Sequence, residues 1–251
     1  MKYINPLIPV YLSAGTETLI RISQIFGKFE LNIRRFTMYE PLKNGEILIK
    51  PYLMDHSAFD AAAFEIIAEG KTVIYSGDFR GHGRKSGCLD RFIDSATKNA
   101  DALIIEGTMF GRLNEDVMTE QELEEKLVEM VGFRGPILFQ ASSQNIDRLV
   151  SFYRAALRLG KTFVVDIYTA NVLYELRQIG NNHLPYPSVD YPSIKVFYPY
   201  RLTQKIFNEI GEKYAKRFSP CYIPKDKLRE KQNNVVMACR PSMGRDLKLP
   251  A

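Results

Sequence analysis

The chain has 251 residues, 45% of them hydrophobic and 25% charged, with a formal net charge of +5, which is ordinary for a folded soluble protein of one or two domains. No apolar run approaches the roughly 20 residues of a membrane span, and prolines interrupt the apolar stretch that a signal peptide would need, so we expect a cytoplasmic protein with no membrane partner. The positive charge fits a polyanionic partner only weakly, because many proteins of other functions are equally basic.

Strand-like and helix-like segments alternate through the first half of the chain. In chain order the patterns predict a strand over 9–12, a helix over 15–28, a strand over 46–54, a hairpin of 64–68 with 72–75, a helix over 88–98 and a buried strand over 102–105. The hairpin predicts an antiparallel or mixed sheet. The first half is therefore expected to be richer in antiparallel pairing than a purely parallel α/β unit.

From Thr119 onward the pattern changes to plain βα repeats. Strands are predicted over 136–140, 162–165, 194–198 and 235–239, and helices over 120–131, 144–159, 170–178 and 204–216. Polar residues between 110 and 119 separate the two patterns, which predicts one domain over 1–115 and a second over 116–251. The overall fold class is α/β, with the second domain a doubly wound unit.

Two predicted strands are followed by side chains of types that can bind metals. His56 follows the strand over 46–54, and Asp78 follows Tyr75-Ser76-Gly77. Imidazole and carboxylate are the ligand types that hold zinc for hydrolysis. An N-capping or turn role is the alternative for each residue alone. Because the two occur in matching contexts, we predict that both bind metal.

Two further groups of residues are typical of phosphate binding. Arg80, His82, Arg84 and Lys85 lie on a glycine-rich loop directly after Asp78, and Ser142, Ser143, Gln144 and Asn145 join a strand to a helix. Backbone amides beside glycines and at a helix N-terminus accept anions, and the cations neutralise phosphate. The alternatives are a solvated charged loop for the first group and ordinary N-capping for the second. Asp166, at the next strand end, is either another cleft residue or a helix cap.

These motifs resemble those of the metallo-β-lactamase fold, and within it the branch with a β-CASP insertion, which includes RNA-processing nucleases such as ribonuclease J. The resemblance implies a partial αββα lobe followed by a β-CASP lobe. It implies two zinc ions, with His56 binding one and Asp78 bridging both around a hydroxide nucleophile. Glu106, in Glu106-Gly107-Thr108, resembles the acidic motif that opens the β-CASP lobe and would support catalysis. RNA or another single-stranded nucleic acid is the implied partner, and homo-oligomerisation stays open.

The chain also departs from that family. The His-x-His-x-Asp-His cluster of the family should precede His56, yet no histidine does, and none follows His183. Cys88, Cys221 and Cys239 are too widely separated to form a paired-cysteine zinc site. A catalytic zinc needs about three protein ligands. The sequence therefore predicts a central segment, cut at both ends, of a zinc-dependent hydrolase that is inactive in isolation.

Two other functions stay open. A non-catalytic homologue would bind nucleic acid through the basic loop without turning it over. A metallo-hydrolase of small esters or phosphates would use the same metal chemistry on substrates that are not polymers.

Overall fold

The protein has a mixed α/β fold in a computed structural model that describes residues 5–28, 30–111, 117–130, 132, 134–180 and 182–247. The chain divides into two compact units. Unit 1 takes in residues 1–17 and 29–121, and unit 2 takes in residues 18–28 and 122–251. Among the described residues, the helices are all too short or too polar to span a lipid bilayer.

Unit 1 is built around a five-stranded mixed sheet. Its elements are β1 (Pro9–Leu12), the start of α1 (Ala14–Ser23), β2 (Asn32–Arg35), β3 (Leu42–Asn44), β4 (Ile47–Leu53), β5 (Ala62–Ala68), β6 (Lys71–Tyr75), α2 (Gly87–Ser95) and β7 (Ala102–Ile104). The sheet order is β3-β4-β5-β6-β7, while β1 and β2 form a separate parallel pair. The predicted hairpin is confirmed: β5 and β6 pair antiparallel. Glu69 and Gly70 both adopt positive φ, which matches the twist of a tight two-residue turn.

The core of unit 1 lies between α2 and the sheet. Tyr52, Met54, Ala63, Ile74 and Ala96 are buried there, with Leu89 and Phe92 of α2 packed against them. The predicted burial of β7 is wrong. Leu103, Ile104 and Ile105 keep 59%, 55% and 57% of their surface exposed, and among the described residues β7 is an edge strand paired with β6 alone. An apolar run indicates a strand whose faces can be buried, but it does not show whether another layer of structure packs against them.

Unit 2 contains a four-stranded, fully parallel sheet. Its elements are α3 (Glu120–Glu129, which begins in unit 1), β8 (Ile137–Phe139), α4 (Ile146–Arg158), β9 (Thr162–Asp166), α5 (Ile167–Arg177), β10 (Ile194–Phe197), α6 (Tyr200–Glu209), α7 (Glu212–Lys216), α8 (Lys225–Glu230), β11 (Val235–Ala238) and α9 (Gly244–Leu247). The strand order is β10-β9-β11-β8. Part of the core consists of Val164, Phe197, Val235 and Met237 from three of these strands, closed by Met243.

The single helix predicted over 204–216 is two helices in the structure. Gly211 separates α6 from α7 and has a φ of 119°, which glycine adopts far more readily than other residues. The amide of Gly211 still donates to the carbonyl of Ile206, so α6 ends in a tight turn before α7 begins. The helical periodicity of the sequence continues across the break and therefore does not reveal it.

Candidate functional site

Three residues predicted to act together lie at one edge of the unit 1 sheet. β4 and β6 are each antiparallel to β5, and β6 is parallel to β7. The carboxyl ends of β4, β6 and β7 therefore lie along one edge of the sheet, the edge at which these strands end. His56, Asp78 and Glu106 each follow one of these strands within three residues. The amide of Arg80 donates to the carbonyl of Asp55 at 2.7 Å, which joins the loop after β6 to the loop after β4.

Glu106, which follows β7 at one end of the strand order, makes two hydrogen bonds at this edge. Its Oε1 accepts the amide of Phe79 at 2.8 Å, and its Oε2 accepts the hydroxyl of Thr108 at 2.8 Å. These two hydrogen bonds, followed by the nearby His56 ring, hold the pKa of the Glu106 carboxyl below its ordinary value. Glu106 is therefore an ionised carboxylate beside the imidazole of His56.

Asp55, which the sequence analysis passed over, organises the glycine-rich loop. It is 0% exposed. Its Oδ2 accepts the amide of Gly83 at 2.7 Å, its Oδ1 accepts the amide of Lys85 at 3.3 Å, and the guanidinium of Arg80 lies 3.8 Å away. A Cβ on residue 83 would sit 2.1 Å from Oδ1, so glycine lets the backbone approach the carboxylate. A buried carboxylate needs this degree of compensation.

Two cations of the same loop make internal contacts. The Arg80 side chain is 13% exposed and pairs with Asp55 and, at 3.6 Å, with Glu120. The Lys85 amine donates to the carbonyls of His56, Ala58 and Phe59. Both cations therefore brace the loops around His56, and their predicted contact with substrate stays a prediction that this geometry does not favour.

The remaining loop residues are placed at the surface of the site. His82 and Arg84 are half-buried, and the carbonyl of His82 accepts the amide of Glu120 at 3.1 Å. Their role in binding a substrate stays a prediction.

Gly77 lies between the strand end and Asp78, and its position requires glycine for two reasons. Its φ is +58°, and a Cβ there would meet the backbone oxygen of Ala62 at 2.5 Å. The demand for glycine comes from the close approach of the neighbouring strand β5. Gly77 thus lets the chain turn sharply so that Asp78 leaves the sheet.

The described residues do not by themselves form a complete zinc site. Among the described residues, no group of three or more His, Cys, Asp or Glu side chains is close enough to hold a metal. Nδ1 of His56 accepts the amide of Ala58 at 3.3 Å, so this nitrogen would have to give up that hydrogen bond to bind a metal. Asp78 is exposed, and its carboxylate contacts no partner within the described part of the chain.

The serine-rich segment of unit 2 lies at the carboxyl edge of the parallel sheet and serves the helix that follows. Asn145 caps α4 by accepting the amide of Arg148 at 3.1 Å, and Ser142 accepts the amide of Gln144 at 3.2 Å. Ser143 is buried and bonds to Thr169 at 2.7 Å. The capping alternative is therefore present in the structure, and phosphate binding by this segment stays a prediction.

Asp166 and Arg240, at the ends of β9 and β11, form an ion pair at this edge. Asp166 caps α5 through the amide of Thr169 at 2.7 Å, and its Oδ2 lies 3.0 Å from Nε of Arg240. Arg240 also donates to Ser143. Sequence analysis missed Arg240 as a site residue, although its position directly after a buried strand was the available signal.

The reactivity of the Cys239 thiol provides a test of the contacts around Asp166. Burial, and secondarily the Asp166 carboxylate, raises the pKa of its thiol to about 11. We expect alkylation of Cys239 by iodoacetamide to be about 100-fold slower at pH 7.5 than that of an unfolded thiol, and to accelerate until pH 11, because the thiolate is the reactive form. Mass spectrometry of a Cys88→Ser/Cys221→Ser double variant, with a urea-unfolded control, measures the rate. Equal rates in folded and unfolded protein would contradict the placement.

Two arginines of α4 pair with a buried carboxylate of α3. Arg154 and Arg158 both lie 3.2 Å from the carboxylate of Glu124. The two guanidinium groups compensate one buried negative charge, which would be costly without them. They belong to the packing of α3 against α4.

Comparison with known proteins gives a shared fold but no family. No protein-family model matches the sequence, and no curated protein matches it significantly. The crystal structure of a protein of unknown function from Enterococcus faecalis V583 aligns with a TM-score of 0.73 at 19% identity, covering 96% of this chain and 55% of that one. The metallo-β-lactamase fold protein YhfI from Bacillus subtilis aligns with a TM-score of only 0.29 at 17% identity, over 65% of this chain and 52% of that one. A score this low does not show a shared fold. The chain thus spans about half the length of a protein of unknown function whose fold it shares.

Proposed function

We propose that this chain is the central segment of a metal-dependent hydrolase that resembles β-CASP nucleases and cleaves RNA phosphodiesters in its complete form. The observation that carries the proposal is the shared sheet edge of His56, Asp78 and Glu106. Three strands that end on the same side of the sheet are followed by an imidazole and two carboxylates, the residue types of a hydrolytic metal centre. Helix capping or a turn role would account for each residue singly, but not for all three at one edge.

The proposal assigns this chain an incomplete share of the centre. His56 and Asp78 would be two ligands, Glu106 would orient the His56 ring, and the other ligands would come from further sequence in a longer protein. The chain's match to only 55% of a larger structure supports this part of the proposal. The expected activity of the isolated chain is therefore none.

The substrate part of the proposal rests on charge and exposure. The net charge of +5 favours a polyanion. His82 and Arg84 lie on the loop that Asp55 holds against the strand end of His56, so they are the residues of that loop we assign to the RNA backbone. A non-catalytic nucleic-acid-binding protein would have the same surface and would differ only in that it binds no metal.

Zinc titration of the purified chain tests the ligand assignment. We expect weak binding by isothermal titration calorimetry, with less than one zinc retained per chain after desalting. His56→Ala and Asp78→Asn should each weaken binding at least tenfold, because each removes a ligand. His183→Ala is the matched control, since His183 is an exposed histidine of unit 2.

Two outcomes would contradict the proposal. Two tightly held zinc ions per chain would show that the site is already complete, and equal zinc affinity in all three variants would remove His56 and Asp78 as ligands. The gene offers an independent check. Codons for a His-x-His-x-Asp-His stretch upstream of Met1 in the same reading frame are expected, and a natural start without them would favour the non-catalytic homologue.

A further inference from the structure

A cavity of about 460 Å³ in unit 2 has no part in the function proposed above. It is lined by Phe26, by the first turn of α6 and by the segment from Arg240 through Asp246. These segments follow β10 and β11, so the cavity lies at the carboxyl edge of the parallel sheet, where open α/β sheets bind ligands. Its volume falls within the range of small-molecule pockets.

The charge of the cavity wall favours an anion. Arg201, Arg240 and Arg245 line it, together with Asp246. Asp246 accepts the amide of Tyr200 at 3.4 Å, and Asp166 pairs with Arg240. The two carboxylates leave one positive charge in excess. Arg201 and Arg245 are exposed and pair with no other residue in the ranges that the structure describes.

Arg240 is held in place before any ligand arrives. Its Nε lies 3.0 Å from Asp166, another nitrogen donates to Ser143, and its guanidinium lies 5.3 Å from the centre of the Tyr168 ring. Because these contacts fix the side chain, little rotamer entropy remains to be lost on binding. A planar guanidinium fixed in this way suits the paired oxygens of a phosphate.

Aromatic rings stand beside these cations. Phe26 and Tyr200 line the cavity with 56% and 69% of their surface exposed. Phe26 makes an edge contact with Tyr168, with the ring centroids 5.2 Å apart, and the amine of Lys205 lies over the Phe26 ring, 5.1 Å from its centroid. Exposed aromatic faces next to cations are the arrangement on which nucleic-acid bases stack.

We propose that this cavity binds a nucleotide unit, with its phosphate on Arg201, Arg240 and Arg245 and its base against Phe26 and Tyr200. The site is independent of the metal centre proposed above, since it needs no metal and no residue of unit 1. It adds a nucleotide-binding activity to a chain that is expected to be catalytically silent.

Titration calorimetry with AMP in EDTA-containing buffer at low salt tests the site. AMP should bind, while adenosine, which lacks the phosphate, and ribose 5-phosphate, which lacks the base, should each bind at least tenfold more weakly. Arg201→Ala and Arg245→Ala should each weaken AMP binding about tenfold, the loss of one charge-assisted contact. Both arginines are exposed, so these variants are expected to fold.

The matched control is Arg134→Ala, because Arg134 is an exposed arginine that precedes β8, at the opposite end of the sheet. It should bind AMP as the wild type does. His56→Ala should also bind AMP normally, so failure of the metal proposal leaves this inference standing. A short oligoadenylate that binds much more tightly than AMP would assign the nucleotide unit to a strand, and equal affinity would assign it to the free nucleotide.

The inference is overturned if millimolar AMP gives no binding, or if Arg201→Ala and Arg245→Ala bind like Arg134→Ala. Binding of ribose 5-phosphate as tight as that of AMP would remove the base from the proposal. Arg240→Ala is not a test on its own, because it also leaves the buried Asp166 without its cation.

Discussion

Replacing Asp55 by asparagine is expected to lower the free energy of unfolding of unit 1 by about 3 kcal/mol. The substitution keeps the volume of the side chain but removes the charge that compensates Arg80. It also leaves the amide of Gly83 or of Lys85 without an acceptor, because asparagine offers a single oxygen. Urea denaturation followed by far-UV circular dichroism measures the loss.

Asp78→Asn is the control for this measurement. Asp78 is exposed, so its replacement should change stability by no more than about 0.5 kcal/mol. Hydrogen exchange gives a second readout, in which the amides of Gly83 and Lys85 lose protection in Asp55→Asn and keep it in Asp78→Asn. A stability loss below about 1 kcal/mol, with both amides still protected, would show that Asp55 does not organise the loop.

Gly77→Ala is expected to destabilise unit 1 by about 3 kcal/mol, from backbone strain and a steric clash together. The φ of +58° disfavours any side chain, and the new Cβ would lie 2.5 Å from the backbone oxygen of Ala62. Ala62 pairs with Leu53 as the first residue of β5, so relief of the clash requires that the strand pairing shift. Thermal and urea unfolding report the change.

Gly45→Ala separates the two contributions. Gly45 has nearly the same φ of +60°, but nothing lies within 4 Å of the position that a Cβ would take there. Its replacement should therefore cost only the conformational part, about 1 kcal/mol. Equal losses at Gly45 and Gly77 would contradict the close approach to β5, whereas the expected difference assigns about 2 kcal/mol to it.

Much of the local structure follows from the sequence. The hairpin of β5 and β6 was predictable because Glu69-Gly70 separates two apolar strands, and the edge that carries His56 and Asp78 was predictable because each follows an apolar run. The capping alternative for Asp166 also holds, since its carboxylate accepts the amide of Thr169. These features depend on residues within a few positions of one another, so local patterns contain them.

The roles of the charged residues were not predictable in the same way. Arg80 and Lys85 have the composition of a phosphate-binding loop, yet their side chains contact Asp55 and the carbonyls after β4, more than twenty residues away in sequence. β7 has the composition of a buried strand, yet its side chains are exposed at the edge of the sheet. The sequence by itself determined the hairpin of β5 and β6, the strand ends that carry His56 and Asp78, and the cap formed by Asp166. Only the tertiary structure decided which charged side chains pair with one another to hold loops together and which, such as Arg201 and Arg245, line a cavity. The reason is that charge pairing and burial depend on residues that come together only when the chain folds.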